Sequence, residues 1–248
     1  MNSSVVISIR KAFRIAWKDM RIYYFSSPTV MMGLLFPILM FVTFWIGRNL
    51  SVSQALPGLA ALTAFFSGSS IGVTTFALER TTGTFDTQLS MPVSLFTIAL
   101  GKTMASFLYG FLMTIIPISL LALVFNCQIA SPLLLLISVA LSSISSAGLG
   151  MVLSVSAHHV HEAMAPLNLI RIPMMFISDI FIPITSFPEP LRIVAYTMPL
   201  THAVISIRYS ILGLRDIGMF LMSIGVLILY TIVFLIATAK RLEKSLEW

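Results

Sequence analysis

The chain is short of charge. Its 15 Lys and Arg and 9 Asp and Glu make up 10% of 248 residues, against about 25% in a soluble domain. So few charges cannot clothe the surface of a soluble domain of this length, which excludes an ordinary soluble enzyme. A disordered tail is excluded as well, because 58% of the residues are apolar. Cysteine is almost absent: Cys127 stands alone, so neither an intramolecular disulfide nor a cysteine metal cluster can form. What is present is hydrophobic length, with a mean hydropathy of +0.99, and lipid is the expected solvent for most of the chain. The net charge of +6 does not mark a nucleic-acid patch. Five basic residues fall within Arg10–Arg21 and three within Lys240–Lys244. Basic clusters beside apolar runs are orientation and headgroup signals. The first 25 residues lack the pattern of a cleavable signal peptide, so the first long apolar run is expected to act as an uncleaved anchor.

A membrane crossing takes about 20 mainly apolar residues. Uncharged stretches predict spans near 28–47, 55–78 and 217–239. The uncharged run 103–161 is too long for one crossing and is broken at Asn126-Cys127-Gln128 and Ser131-Pro132, giving spans near 103–125 and 132–156. A fifth is expected near 163–184. The apolar but proline-interrupted stretch 185–215 is expected to form short re-entrant helices, a gate region shielded by protein or a water-filled cavity. The fold class is therefore all-α integral membrane, a single domain over 1–248 with six transmembrane helices. Arg10, Lys11, Arg14, Lys18, Arg21, Arg80, Lys102, Lys240, Arg241 and Lys244 lie on one side, and Arg48, Arg192, Arg208 and Arg215 on the other. This asymmetry predicts both termini in the cytoplasm.

Ahead of the first span, Val6, Ile9, Phe13, Trp17 and Met20 recur every three or four residues, with Arg10, Arg14 and Lys18 on another face. The pattern predicts an amphipathic interfacial helix over 4–25.

The longest polar stretch after the first span is 79–94. Glu79 and Arg80 close an apolar helix, Gly83 bends it, and Met91-Pro92 ends any following turn. Thr84 is placed to cap a short helix Phe85–Leu89. Read from the residues alone, the stretch is either a capped connecting loop or a small helix presented to a partner. Glu79, Arg80, Gly83, Thr84, Leu89, Pro92, Val93, Ser94, Gly101 and Lys102 together resemble the cytoplasmic loop of type-2 ABC exporter permeases, the family of drug-resistance and polysaccharide or teichoic-acid export permeases. The resemblance implies that 79–94 is a coupling helix seated in a separate ATPase subunit, with Glu79, Arg80, Gly83, Thr84, Phe85, Leu89 and Pro92 as coupling residues. A second stretch also resembles the family: Ile172-Pro173, Phe176 to Pro183, Phe187-Pro188, Pro199-Leu200-Thr201-His202 and Arg208. Three departures stand out. Asp179 stands where glycine is usual and His202 where tyrosine is usual. The acidic residue expected shortly before Arg208 is absent.

Transport of this type needs ATP. Gly101-Lys102-Thr103 looks like the end of a phosphate-binding loop, but position 96 is Phe where that motif needs glycine. The chain is therefore expected to bind no cofactor and not to be an enzyme, with ATP and Mg on two copies of a partner ATPase. The resemblance further implies a second permease copy or a homologous permease around a shared pathway, surrounded by lipid, in a prokaryotic plasma (inner) membrane, with no nucleic-acid partner. Two stripes of small residues, Ser138, Ser142, Ser146, Gly150, Ser154 and Ala64, Gly68, Gly72, let backbones approach closely, within the chain or across a dimer.

Candidate pathway or gate residues are Phe65, Phe66, Arg171, Asp179, Pro183, Pro199, Thr201 and His202. Arg171 is expected to face protein or water, since a mid-membrane Arg costs about 2.5–3.5 kcal/mol. Asp179, eight residues on, is expected about 12 Å further along the same helix, out of reach of Arg171. Both also fit a structural contact with a neighbouring span. His158, His159 and His161 have too few acidic neighbours for a metal site and fit a solvated loop. An intramembrane enzyme would need paired acids or metal ligands, and only Arg171 and Asp179 titrate within the spans. A passive channel is the remaining class. An amphipathic or hydrophobic small molecule is the expected cargo, with polysaccharide or lipid-linked glycan as the alternative.

Overall fold

A computed structural model describes residues 2–24, 30–48, 51–155, 157, 159–213 and 216–244, with side chains omitted for 2–9, Met32, Leu34, Phe44 and Arg48. Helices are α1 (Asn2–Tyr23), α2 (Phe36–Arg48, continuing a π-turn at Met31–Leu35), α3 (Val52–Thr81), α4 (Thr84–Leu89), α5 (Leu95–Val124), α6 (Pro132–Ser154), α7 (Val160–Ile177), α8 (Glu189–Thr197), α9 (Pro199–Leu212) and α10 (Ile217–Lys244). No strand occurs among the described residues.

Helix α3 is the axis of the bundle. Every residue from Ala55 to Ala77 is buried. Its sequence permits this because it is rich in Ala, Gly, Ser and Thr, whose small side chains let neighbours close on all sides. Several buried hydroxyls turn back onto their own helix: Thr63 donates to Leu59 O at 2.8 Å and Thr74 to Ser70 O at 3.1 Å. Gly68 lies under α6, where an added Cβ would stand 2.8 Å from Ser146 Oγ and 2.9 Å from Ser143 O. Gly110 of α5 faces the same Gly68 backbone, where an added Cβ would stand 2.8 Å from Gly68 Cα. Ser146 Oγ bonds Ala64 O at 3.1 Å. Both small-residue stripes thus mark seams inside one chain.

Four helices are long and apolar enough to cross a bilayer among the described residues: α3, α5, α6 and α10. At 1.5 Å per residue the 30-residue α3 and α5 each reach about 45 Å. Helices α5 and α10 show Leu120, Leu123, Leu221 and Leu229 outward, a surface suited to lipid. The first expected span falls on α2 and its π-turn, an apolar helix shorter than those four; its start at 28 and the Arg48 side chain lie outside the described residues, as do Arg215 and His158.

The fifth expected span falls on α7, which is not among those four, and its expected extent needs correction. The helix stops at Ile177 rather than 184. Asp179 has φ 63, a left-handed conformation that cannot continue a right-handed helix. Asp179 therefore leaves the helix that carries Arg171 instead of lying further along it.

Helix α1 packs along α5. Ala12 and Ala16 are fully buried, while Phe13 and Trp17 are exposed. Gly101 makes the approach possible, since a Cβ there would stand 2.8 Å from Ala12 O. Tyr24, just after α1, donates to Ala105 O at 2.8 Å and stacks edge-on against Tyr109. The apolar residues Phe13 and Trp17 thus face out of the bundle, and alanines face in. The side chains of Val6 and Ile9 lie outside the described set.

Candidate functional site

The end of α3 and the start of α5 converge under α4, and the site is built there. Gly83, with φ 70, turns the chain between α3 and α4. It takes the N-cap position that the sequence suggested for Thr84, because only glycine adopts this backbone without penalty. Thr84 is instead the first helical residue, and its hydroxyl meets that of Thr82 at 2.5 Å. Phe85 is buried against Phe76 with centroids 4.9 Å apart, and the Arg80 guanidinium lies 5.2 Å and 5.4 Å from these rings. Leu89 is half-buried, and Asp86, Thr87, Ser90 and Pro92 are exposed. The Pro92 carbonyl accepts from Lys11 of α1 at 2.7 Å. The segment thus has an inner face held to the bundle and an open outer face.

Glu79 lies beneath α4 and is fully buried. Its carboxylate accepts from Lys18 of α1, from Lys102 of α5 and from Gln88 of α4, the last at 2.8 Å. Asp19 completes the cluster, 3.0 Å from Lys18 and 3.5 Å from Lys102. Two cations and two anions, with Lys102, Glu79 and Asp19 wholly out of contact with solvent, join α1, α3, α4 and α5 at one point. Burial is the main influence on Asp19 and pushes its carboxyl up; Lys102 and Lys18 oppose this without cancelling it. Burial also works against the Lys18 ammonium, but Asp19 and Glu79 outweigh it and hold it above the ordinary 10.5. Glu79, a candidate partner contact in the sequence, faces inward. Lys18, grouped by pattern with Arg10 and Arg14 on a basic face, turns to the cluster, while those two are exposed. Gly101-Lys102-Thr103 sits inside α5. Its peptide groups belong to helical hydrogen bonds, so they cannot cradle a phosphate.

Arg171 is fully buried against α3. It donates to Ser70 Oγ at 2.8 Å, Ser69 Oγ at 3.3 Å and Asn168 Oδ1 at 2.8 Å, and lies 4.4 Å from the Phe66 ring centroid. Phe66 stacks in turn on Phe36 at 5.1 Å and Phe65 at 6.1 Å. Phe65 and Phe66 are thus packed inside the chain.

Asp179 pairs with Arg208 of α9, whose Nη2 also donates to the Asp179 carbonyl at 2.7 Å. Its Oδ1 accepts from Ile184 N at 2.9 Å. The pair borders a cavity of about 150 Å³ with Thr185, Tyr196 and Met219. Pro183 caps the turn Ile184–Ser186, and Pro199 opens α9, where its missing N–H leaves no helical bond unmade. Thr201 donates to Ala195 O at 2.6 Å, and His202 bridges Tyr196 O at 2.8 Å and Ser223 Oγ at 3.1 Å. These residues hold the α8–α9 corner against α10. His159 caps α7, its amide donating to Glu162 at 3.2 Å, and its ring stacks on His161. No group of three or more His, Cys, Asp or Glu fit for a metal occurs among the described residues.

Asp19, Gln88, Ser69, Ser70 and Asn168 were not singled out in the sequence. Only Asp19 carried a usable signal, as the lone acid within the basic Arg10–Arg21 stretch.

The profile of the ABC-2 type transporter family matches residues 4–212, which hold the charge cluster, the α4 turn and the Asp179–Arg208 corner. Nodulation protein J of Rhizobium leguminosarum bv. viciae is 32% identical over 102 residues, covering 41% of this chain and 39% of that protein. The match thus spans about two fifths of the relative's length. The chain belongs to the ABC-2 type transporter family of multi-pass membrane transport proteins.

Proposed function

We propose that this chain is the permease subunit of an ATP-driven exporter and that segment 79–94 receives movement from a separate ATPase subunit. The observation that carries the reading is the two-faced α4. Its outer side is open, and its inner side is tied through Glu79 and Gln88 to Lys18 and Lys102. A partner engaging Asp86, Thr87 or Ser90 moves α1, α3 and α5 together, because a desolvated ion cluster resists being pulled apart. Glu79 and Phe85 then act by positioning α4, and the exposed residues make the contact. ATP and Mg belong to the partner, present in two copies. Two permeases, identical or related, form the pathway in a prokaryotic plasma membrane, with both termini in the cytoplasm.

The gate reading of 185–215 draws on the α8–α9 corner. Tyr230, 13 residues or about 20 Å into α10, donates to Thr197 O. A corner at that depth supports helices that enter and return. A hydrophobic or amphipathic cargo is the first reading of the substrate. A hydroxyl-rich cargo such as a polysaccharide or lipid-linked glycan is the second; Thr185 and Tyr196 offer it hydrogen-bonding groups on a cavity that Ile184, Ile205 and Met219 also line. The test is co-purification with the ATPase encoded beside this gene. We expect complex formation and permease-stimulated ATP hydrolysis, both lost in Asp86→Arg/Thr87→Arg, which alters exposed side chains only. A wild-type chain that neither binds nor stimulates that ATPase overturns the reading.

A further inference from the structure

At the end of the bundle opposite the charge cluster, α2 and α5 separate. The π-turn Met31–Leu35 lies against α5, and beyond it a groove of about 320 Å³ is floored by Ala55 and Leu59 of α3. Phe41 and Trp45 form one wall, and Leu120 and Phe125 the other. Pro117, inside α5, lacks the amide that would continue the helical ladder, which favours a bend at the groove. A second cavity, bordered by Ser51, Ser53, Asn126 and Gln128, opens at the same end. The two share Val52 and Phe125 as lining residues. An apolar slot therefore adjoins a mouth of hydroxyl and amide groups.

We propose that this groove is a site for a membrane amphipath, its acyl chain lying between α2 and α5 and its headgroup hydrogen-bonded at the mouth. The volume falls in the ~300–1,000 Å³ range of small-molecule sites. An acyl chain is slender enough to enter. Apolar lining alone would not select one lipid from the bilayer, because lipid tails are as apolar as leucine. Selection rests on the mouth. One net hydrogen bond there is worth about fivefold in apparent affinity.

Trp45 supplies the probe. Trp17→Phe/Trp248→Phe leaves Trp45 as the sole tryptophan in the full chain, reconstituted in vesicles of an unlabelled phospholipid. A phospholipid brominated on its acyl chain is then titrated in, and a second variant retaining only the exposed Trp17 reports bulk lipid. We expect Trp45 quenching to saturate at a bromolipid fraction about fivefold below that for Trp17, for at least one headgroup among phosphatidylcholine, phosphatidylglycerol and a glycosyl diacylglycerol. Val42→Phe/Leu120→Phe, which fills the groove from its exposed rim, should abolish the saturable phase. Should that variant fail to fold, Asn126→Ala/Gln128→Ala should bring the preferred headgroup back to the bulk curve. Trp45 quenching that follows bulk composition for all three headgroups means annular lipid only and overturns the proposal. Absence of quenching means a protein segment fills the groove and also overturns it.

Discussion

Lys102→Met tests whether the charge cluster is one energetic unit. The substitution removes a cation from a place where Lys102, Glu79 and Asp19 are all fully buried. Methionine keeps the length of the stem and gives up only the Nζ, which lies 5.6 Å from the Phe76 ring centroid. Two carboxylates are then left with Lys18 alone, a side chain about one third exposed. Breaking a buried pair by removing one partner costs about 3–5 kcal/mol. In a chain of this size each kcal/mol moves the unfolding midpoint by about 2–4 °C, so the expected drop is about 6–20 °C in detergent-purified protein. Asp19→Asn in the same chain removes the excess negative charge and leaves Glu79 with Lys18 and Gln88. The double variant should therefore recover about 1–3 kcal/mol relative to the sum of the single effects. The reasoning is refuted if Lys102→Met shifts the midpoint by less than about 2 °C, or if the two substitutions add without recovery.

Gly68→Ala should lower stability by about 1–3 kcal/mol in the same thermal assay, because its Cβ would meet backbone at Ser143; Gly225→Ala, with open space around it, should gain up to about 1 kcal/mol from helix propensity. Arg171→Met should change stability by less than about 2 kcal/mol, because the relief of a buried charge and the loss of its hydrogen bonds to Ser69, Ser70 and Asn168 oppose each other. Arg171→Lys should lower it, since a single ammonium cannot reproduce the fork onto Ser69, Ser70 and Asn168. Asp179→Ala should be about 1 kcal/mol less stable than Asp179→Gly, because both lose the Arg208 pair but only alanine is strained at φ 63. The raised Lys18 group gives a stabilising contribution that is complete below about pH 10.5 and is lost as pH climbs through the still higher folded value. The midpoint of the wild type should therefore fall above pH 10.5 more steeply than that of Lys18→Met.

Two departures from the permease pattern in the sequence become one fact in space. The carboxylate lacking before Arg208 is replaced by Asp179, 29 residues away in sequence. The same position has the backbone that explains glycine as its usual occupant. Neither relation was legible in one dimension, since hydropathy and spacing carry no information on which turn meets which helix. The Arg171 contacts were hidden for the same reason: Ser69 and Ser70 lie about a hundred positions away on a helix whose hydroxyls read as ordinary small residues.

The sequence by itself determined the membrane environment, the long apolar helices and the polar turn at 79–94. Those follow from local composition, because a charge gap of twenty residues or a glycine between two helices acts where it stands. Tertiary structure alone decided what the scarce charges do. It turned Glu79 inward onto Lys18 and Lys102 and gave Asp19 a role. It also ended α7 before Asp179 and set Asp179 against Arg208. A charge buried beside lipid is tolerable only where distant segments bring it a partner, and that choice is made by packing.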